Sequence, residues 1–224
     1  MKRFLTLIVV CALLMGGGSL RALAAPLPRE DPHKRIVLTF DDGPHPRQTL
    51  QILDLLDRYG IKATFFMIGI NVQNYPQAAR EVAARGHEIG NHTETHSHAI
   101  RLDDALLQSE IVQCEREVLA QTGKHCKLFR PPEGALTDSM RNTIKRMGYV
   151  NVLWTLDTRD WAHTPPDRIS DYIIQNAKNG DIILMHDYIG ANSPTLQALE
   201  TFIPVLLEQG FTFVTAGELL QNKQ

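Results

Sequence analysis

Between residues 36 and 221, a short apolar run is followed seven times by a helical stripe. Ile36–Phe40 precedes Thr49–Tyr59, Ala63–Ile68 precedes Gln77–Arg85, and His87–Gly90 precedes Asp103–Gln121. Lys127–Phe129 leads to a helix that Thr137 or Asp138 caps and that runs to Met147. Tyr149–Trp154 leads to Asp167–Ala177, Asp181–Met185 to Thr195–Gln209, and Phe211–Val214 to a last turn near Gly217. Leu50, Ile52, Leu53, Leu55 and Leu56 have helical spacing, and Gly60, Gly86 and Gly123 stop the first three stripes. A chain that returns to the sheet through a helix after every strand builds a parallel sheet covered by helices. Seven such units in about 190 residues predict an α/β fold. The first choice is a distorted (β/α) barrel with about seven parallel strands, and a doubly wound open sheet is the second.

The N-terminal segment stands apart from this pattern. Lys2 and Arg3 precede an apolar run from Phe4 to Met15, and Ala22-Leu23-Ala24 offers a small-x-small cleavage site. Residues 1–24 therefore read as a secretory signal, and the apolar run is shorter than the ~20 residues that a membrane-spanning anchor needs. Residues 25–35 are Pro-rich and charged, a leader with no core contribution. Cleavage after Ala24 would take three bases and no acids, moving the formal charge from −2 to −5. An acidic balance excludes a binder of phosphate backbones, and 43% hydrophobic residues exclude a disordered chain. The mature part keeps Cys114 and Cys126. In an oxidising compartment they either pair, for about 3 kcal/mol of loop-closure entropy, or remain two buried thiols.

Unusual polar residues fall where the strands end. Asp41 and Asp42 follow the first strand, His92, His96 and His98 the third, and Arg130 the fourth. Asp157 and Asp160 follow the fifth, and His186 and Asp187 the sixth. In a parallel barrel these positions share the carboxyl-end face, where active sites are assembled, whereas scatter would send about half of them to the other end. Taken alone, Asp41-Asp42-Gly43-Pro44 is equally good turn chemistry. Two His and a strand-end carboxylate form an N2O set with open positions, which suits a catalytic divalent ion such as Zn²⁺. In an extended segment His92 and His96 would stand about 13 Å apart, so ligation predicts a turn of helix at 92–96. His98 either supports a neighbour or is solvated.

TFDDGPHP at 39–46, HTETH at 92–96, RPPEG at 130–134, DTRDW at 157–161 and LMH at 184–186 resemble the five ordered motifs of the polysaccharide deacetylases. These are the NodB-homology enzymes of carbohydrate esterase family 4. The resemblance spans residues of about 36–220 and makes 36–224 the catalytic domain. It implies Asp41 as general base, Asp42, His92 and His96 as metal ligands, and Arg130 as the group that orients the base. It further implies His186 as general acid supported by Asp160, Trp161 lining the groove, and Leu184 walling the acetyl pocket. Where the family usually has an aromatic residue whose backbone N–H is an oxyanion donor, this chain has Glu133. That departure removes a stacking surface, adds negative charge beside the acyl pocket, and predicts an altered substrate preference.

The resemblance implies a secreted N-deacetylase acting on N-acetylglucosamine residues of peptidoglycan or a chitin-like glycan and releasing acetate. Its metal would be Zn²⁺, with Co²⁺, Mn²⁺ or Ni²⁺ as substitutes. The expected partner is an acetylated polysaccharide bound by a monomer in the periplasm or cell wall, with membrane contact only through an uncleaved signal segment. O-acetyl esterase action on xylan or another glycan is the rival chemistry. A non-catalytic carbohydrate-binding protein is the rival class.

Overall fold

The computed structural model describes residues 34–98 and 102–221. The segment 1–24 and most of the leader at 25–35 lie outside the described residues. Among those described, eight strands form one parallel sheet: β1 (Arg35–Asp41), β2 (Thr64–Met67), β3 (Glu88–Asn91), β4 (Leu128–Phe129), β5 (Val150–Asn151), β6 (Leu156–Asp157), β7 (Asp181–His186) and β8 (Thr212–Phe213). Their order is β5-β4-β3-β2-β1-β7-β6, with β8 also on β1. The helices are α1 (Gln48–Arg58), α2 (Gly69–Asn74), α3 (Pro76–Ala84), α4 (Asp104–Thr122), α5 (Asp138–Arg146), α6 (Pro166–Asn176), α7 (Thr195–Glu208) and α8 (Ala216–Gln221).

The fold is the expected distorted barrel of parallel strands, found here curled and incomplete. Alternation along β1 shows how it is built. Ile36, Leu38 and Phe40 join the large cluster shared with Leu53 and Leu56 of α1 and Phe202 of α7. Val37 instead packs with Phe66, Val152, and Ala216 and Leu219 of α8. One face of the strand thus meets the helix layer and the other meets the barrel interior, as a period of two requires. Each such large side chain contributes roughly 1.5–3 kcal/mol on burial. Helix ends follow their local chemistry: Asp103 accepts a hydrogen bond from the Leu106 N–H, Thr137 accepts one from the Met140 N–H, and a left-handed Gly123 ends α4.

The fifth unit differs from its expected form. Tyr149–Trp154 is not a single strand. The chain pairs with β4 through Val150–Asn151, leaves the sheet, and pairs with β7 through Leu156–Asp157. The Val152 N–H donates to the Phe129 carbonyl and the Thr155 N–H to the Ile182 carbonyl, each at 2.9 Å. Residues 152–155 therefore step from one edge of the sheet to the other where no ladder joins β5 and β6 among the described residues. The short helix α2 was not expected either. It lies so close to α4 that a Cβ on Gly69 would collide with the Cys114 Cα. Cys114 and Cys126 are buried free thiols, and desolvation pushes both thiol pKa values up.

Candidate active site

Register sets the centre of the site. β1 and β7 pair with Thr39 opposite Leu184 and Asp41 opposite His186. Register partners on adjacent parallel strands, about 4.8 Å apart, present their side chains to the same side. Asp41 and His186 thus end two neighbouring strands on the interior face.

Asp41 is buried, and one of its oxygens is committed. Arg130 Nη1 donates to Asp41 Oδ1 at 2.7 Å and to Thr39 Oγ1 at 2.8 Å. The guanidinium is wholly buried and lies 4.1 Å from the centre of the Phe66 ring. Its Nε donates to the Val152 carbonyl at 3.0 Å and its Nη2 to the Leu153 carbonyl at 3.4 Å, both in the segment where the ladder is broken. One arginine therefore fixes the carboxylate and satisfies two carbonyls left without strand partners. Burial lowers its pKa, and Asp41 works in the opposite direction.

The loop after β3 brings His92 and His96 together without the expected turn of helix. Thr93 and His96 are both left-handed, at φ 69° and 55°. Asn91 Oδ1 accepts from the Thr93 N–H at 3.0 Å, and Thr93 Oγ1 accepts from the His96 N–H at 3.1 Å. These bonds hold two unfavourable residues, each costing about 1–2 kcal/mol, and leave the imidazole centroids 5.1 Å apart. Asp42 is left-handed too, at φ 72°.

Ligand atoms of Asp42, His92 and His96 all lie within 4.8 Å of one another. His92 Nδ1 is 2.7 Å from the Arg130 carbonyl, which only accepts, so Nδ1 carries the proton. A neutral His92 then turns the bare lone pair of Nε2 towards Asp42 Oδ1 at 3.4 Å, and His96 Nε2 stands 3.2 Å from the same oxygen. That buried oxygen has no hydrogen-bond partner. Lone pairs facing each other at this distance call for a cation between them, and two imidazoles with a carboxylate fit a divalent ion such as zinc. Were the two imidazoles protonated instead, their hydrogen bonds and charge would outweigh burial and hold the Asp42 carboxyl well below the usual range.

On the other side, Asp160 is fully buried and holds His186. Its Oδ1 is 2.7 Å from His186 Nδ1, and its Oδ2 accepts from the His186 backbone N–H and from Thr195 Oγ1, both at 2.7 Å. Burial alone would lower the imidazole pKa, but the hydrogen bond and charge of Asp160 dominate and raise it to about 9. The pKa of the neighbouring Asp187 is raised as well. Burial raises it to about 7, although Thr49 Oγ1 donates to the carboxylate at 2.5 Å.

A cavity of 430 Å³ is lined by Asp41, Asp42, His92, His96 and His186 together with Glu133, Trp161 and Leu184. Eight of the ten residues expected at the site meet there. Arg130 and Asp160 stand behind it, touching Asp41 and His186. Glu133 is left-handed at φ 60° and its carboxylate pairs with His98 Nδ1 at 2.7 Å, which gives His98 a partner. Trp154 and Asp157 also line the cavity. In the sequence Asp157 is marked only as a strand-end carboxylate, and Trp154 and Thr195 are ordinary strand and helix residues.

Comparison with known proteins agrees with the fold. The polysaccharide deacetylase family model matches residues 29–152. The chain is 44% identical over 192 residues to a peptidoglycan-N-acetylglucosamine deacetylase of Bacillus cereus, covering 85% of this chain and 90% of that one. It is 34% identical over 190 residues to a chitooligosaccharide deacetylase of a Bradyrhizobium strain, covering 80% and 87%. The crystal structure of the Bc1960 peptidoglycan N-acetylglucosamine deacetylase superposes with a TM-score of 0.81 at 31% identity, covering 84% of this chain and 88% of that one.

Proposed function

The chain belongs to the polysaccharide deacetylase family, and from that premise we propose that it removes N-acetyl groups from N-acetylglucosamine residues of peptidoglycan, releasing acetate. One observation carries the reading: a carboxylate base, a three-atom ligand set and an imidazole of raised pKa line one cavity. The signal-like segment at 1–24 supports work outside the cytoplasm, where that polymer is found.

Asp42, His92 and His96 would hold the metal, with zinc as the first choice. A divalent ion supplies Lewis-acid polarisation of the acetyl carbonyl and acidification of water. Asp41 takes the proton of the attacking water on Oδ2, since Arg130 occupies Oδ1. The Glu133 backbone N–H serves as oxyanion donor. His186 is tied through Nδ1 to Asp160, so its Nε2 gives the proton that the departing amine needs. The test is acetate release from N-acetylated peptidoglycan and chitooligosaccharides with and without a chelator. Metal-dependent release is expected, and no release from either glycan would refute the reading. Release from O-acetylated xylan alone would identify an esterase instead. His92→Ala is expected to lose the ion, measured by elemental analysis of the purified protein.

The pH profile tests the acid. The active form carries protonated His186, so kcat/KM should fall as pH rises through about 9. Asp160→Asn removes the anion that raises this pKa and should move the fall towards the ordinary imidazole value of 6.5. The same shift has a stability counterpart. The contribution of His186 is complete below 6.5 and is lost as pH rises through about 9. Glu133→Tyr restores the stacking surface and removes the charge. It should change the ranking of a panel of acetylated glycans, and an unchanged ranking would show that Glu133 plays no part in selection.

A further inference from the structure

A second cavity, of 350 Å³, lies in the segments that follow β1 and β7. His45, Arg47, Gln48, Gln51, Tyr188 and Gly190 line it. His45 comes three residues after Asp42 and Tyr188 two after His186, so the two segments that build the catalytic centre continue into this cavity. It is a constructed pocket. The His45 and Tyr188 rings stack at 4.3 Å between centroids and 4° between planes, and Tyr75 meets His45 edge-on. Gln48 Nε2 donates to the Gly190 carbonyl at 2.5 Å and ties the two segments together.

Its chemistry is one-sided. The Gln48 N–H donates to His45 Nδ1 at 3.2 Å, so a neutral His45 carries its proton on Nε2. No acidic residue lines the cavity, and among the described residues Arg47 has no carboxylate partner. Gln48 Oε1 is buried with no hydrogen-bond partner. The exposed Arg47 guanidinium, the His45 ring N–H and the Tyr188 hydroxyl supply this one cavity with donors suited to an anion, and the orphaned amide oxygen can accept from a donor on the same ligand.

We propose that this cavity binds a carboxylate-bearing substituent, with an adjacent N–H or O–H, on the sugar next to the one being deacetylated. The inference rests on the deacetylase reading for its account of which polymer lies in the groove. It makes the enzyme selective for a glycan whose alternate units carry acid groups over one that is neutral throughout. The carboxylate is either the lactyl group of the sugar or the first acid of an attached peptide.

Two measurements test this, and the first needs no turnover. The signals of the Tyr188 ring and the His45 imidazole are followed by NMR while N-acetylmuramic acid, muramyl dipeptide or N-acetylglucosamine is added. One of the two acids should shift these signals, and which one does identifies the source of the carboxylate. The neutral sugar should not shift them, and Arg47→Ala should remove the response while Arg47→Lys keeps part of it. Equal responses to acid and neutral sugar, no response to either acid, or a response that survives Arg47→Ala, would overturn the proposal. In the second measurement, the ratio of kcat/KM on peptidoglycan strands to that on chitopentaose should fall about tenfold in Arg47→Ala, the scale of one charge-assisted hydrogen bond. An unchanged ratio would overturn the proposal. Loss of turnover on both glycans in the wild type would overturn the deacetylase reading instead, leaving the binding result to stand or fall alone.

Discussion

Asp41→Asn loses acetate release, with kcat/KM falling about 10²–10⁴-fold, while the purified protein still takes up its divalent ion. The amide keeps the shape of the carboxyl but cannot accept the proton of the attacking water. Asp42, His92 and His96 are untouched, so ligation survives. Retention of the ion separates this variant from His92→Ala, in which activity and metal are lost together. If Asp41→Asn stays within tenfold of the wild type, the base is some other group.

Arg130→Met is the largest expected stability change, about 3–5 kcal/mol, seen as a fall of about 10 °C or more in Tm. Arg130 is wholly buried and Asp41 nearly so, and they meet at 2.7 Å. Removing the guanidinium strands an anion in the barrel and leaves the Val152 and Leu153 carbonyls without their donor. The double variant Asp41→Asn/Arg130→Met should be more stable than the sum of the single losses predicts, because neither charge is then left alone. It should remain inactive. A strictly additive result would mean that the pair is not coupled and that Arg130 serves only the broken ladder.

The architecture was legible because each strand-and-helix unit carries its own period. The positions of Asp41, Arg130 and His186 were legible because strand ends in such a sheet share one face. Finer features depended on contacts that no local pattern encodes. His92 and His96 have helical spacing, yet the side chains of Asn91 and Thr93 stabilise left-handed backbone instead, and the same separation is closed by a curl. The apolar run at 149–154 has one period but two sheet partners, and only the position of the far edge decides where it must break. Thr195 belongs to the site through a hydrogen bond to Asp160 across 35 residues of sequence, which composition and spacing cannot reveal.

Because Asp41 and His186 occupy matched rungs of β1 and β7, the lineage that carries this protein is constrained less in residue type than in residue count. A single codon gained or lost within β7 would swing His186 over to the helix layer, and two would return it to the right side at the wrong height. The turns on the far rim, where the helices hand the chain back to the sheet, carry no such restriction. Length variation among descendants should therefore accumulate there and be purged from the rungs themselves.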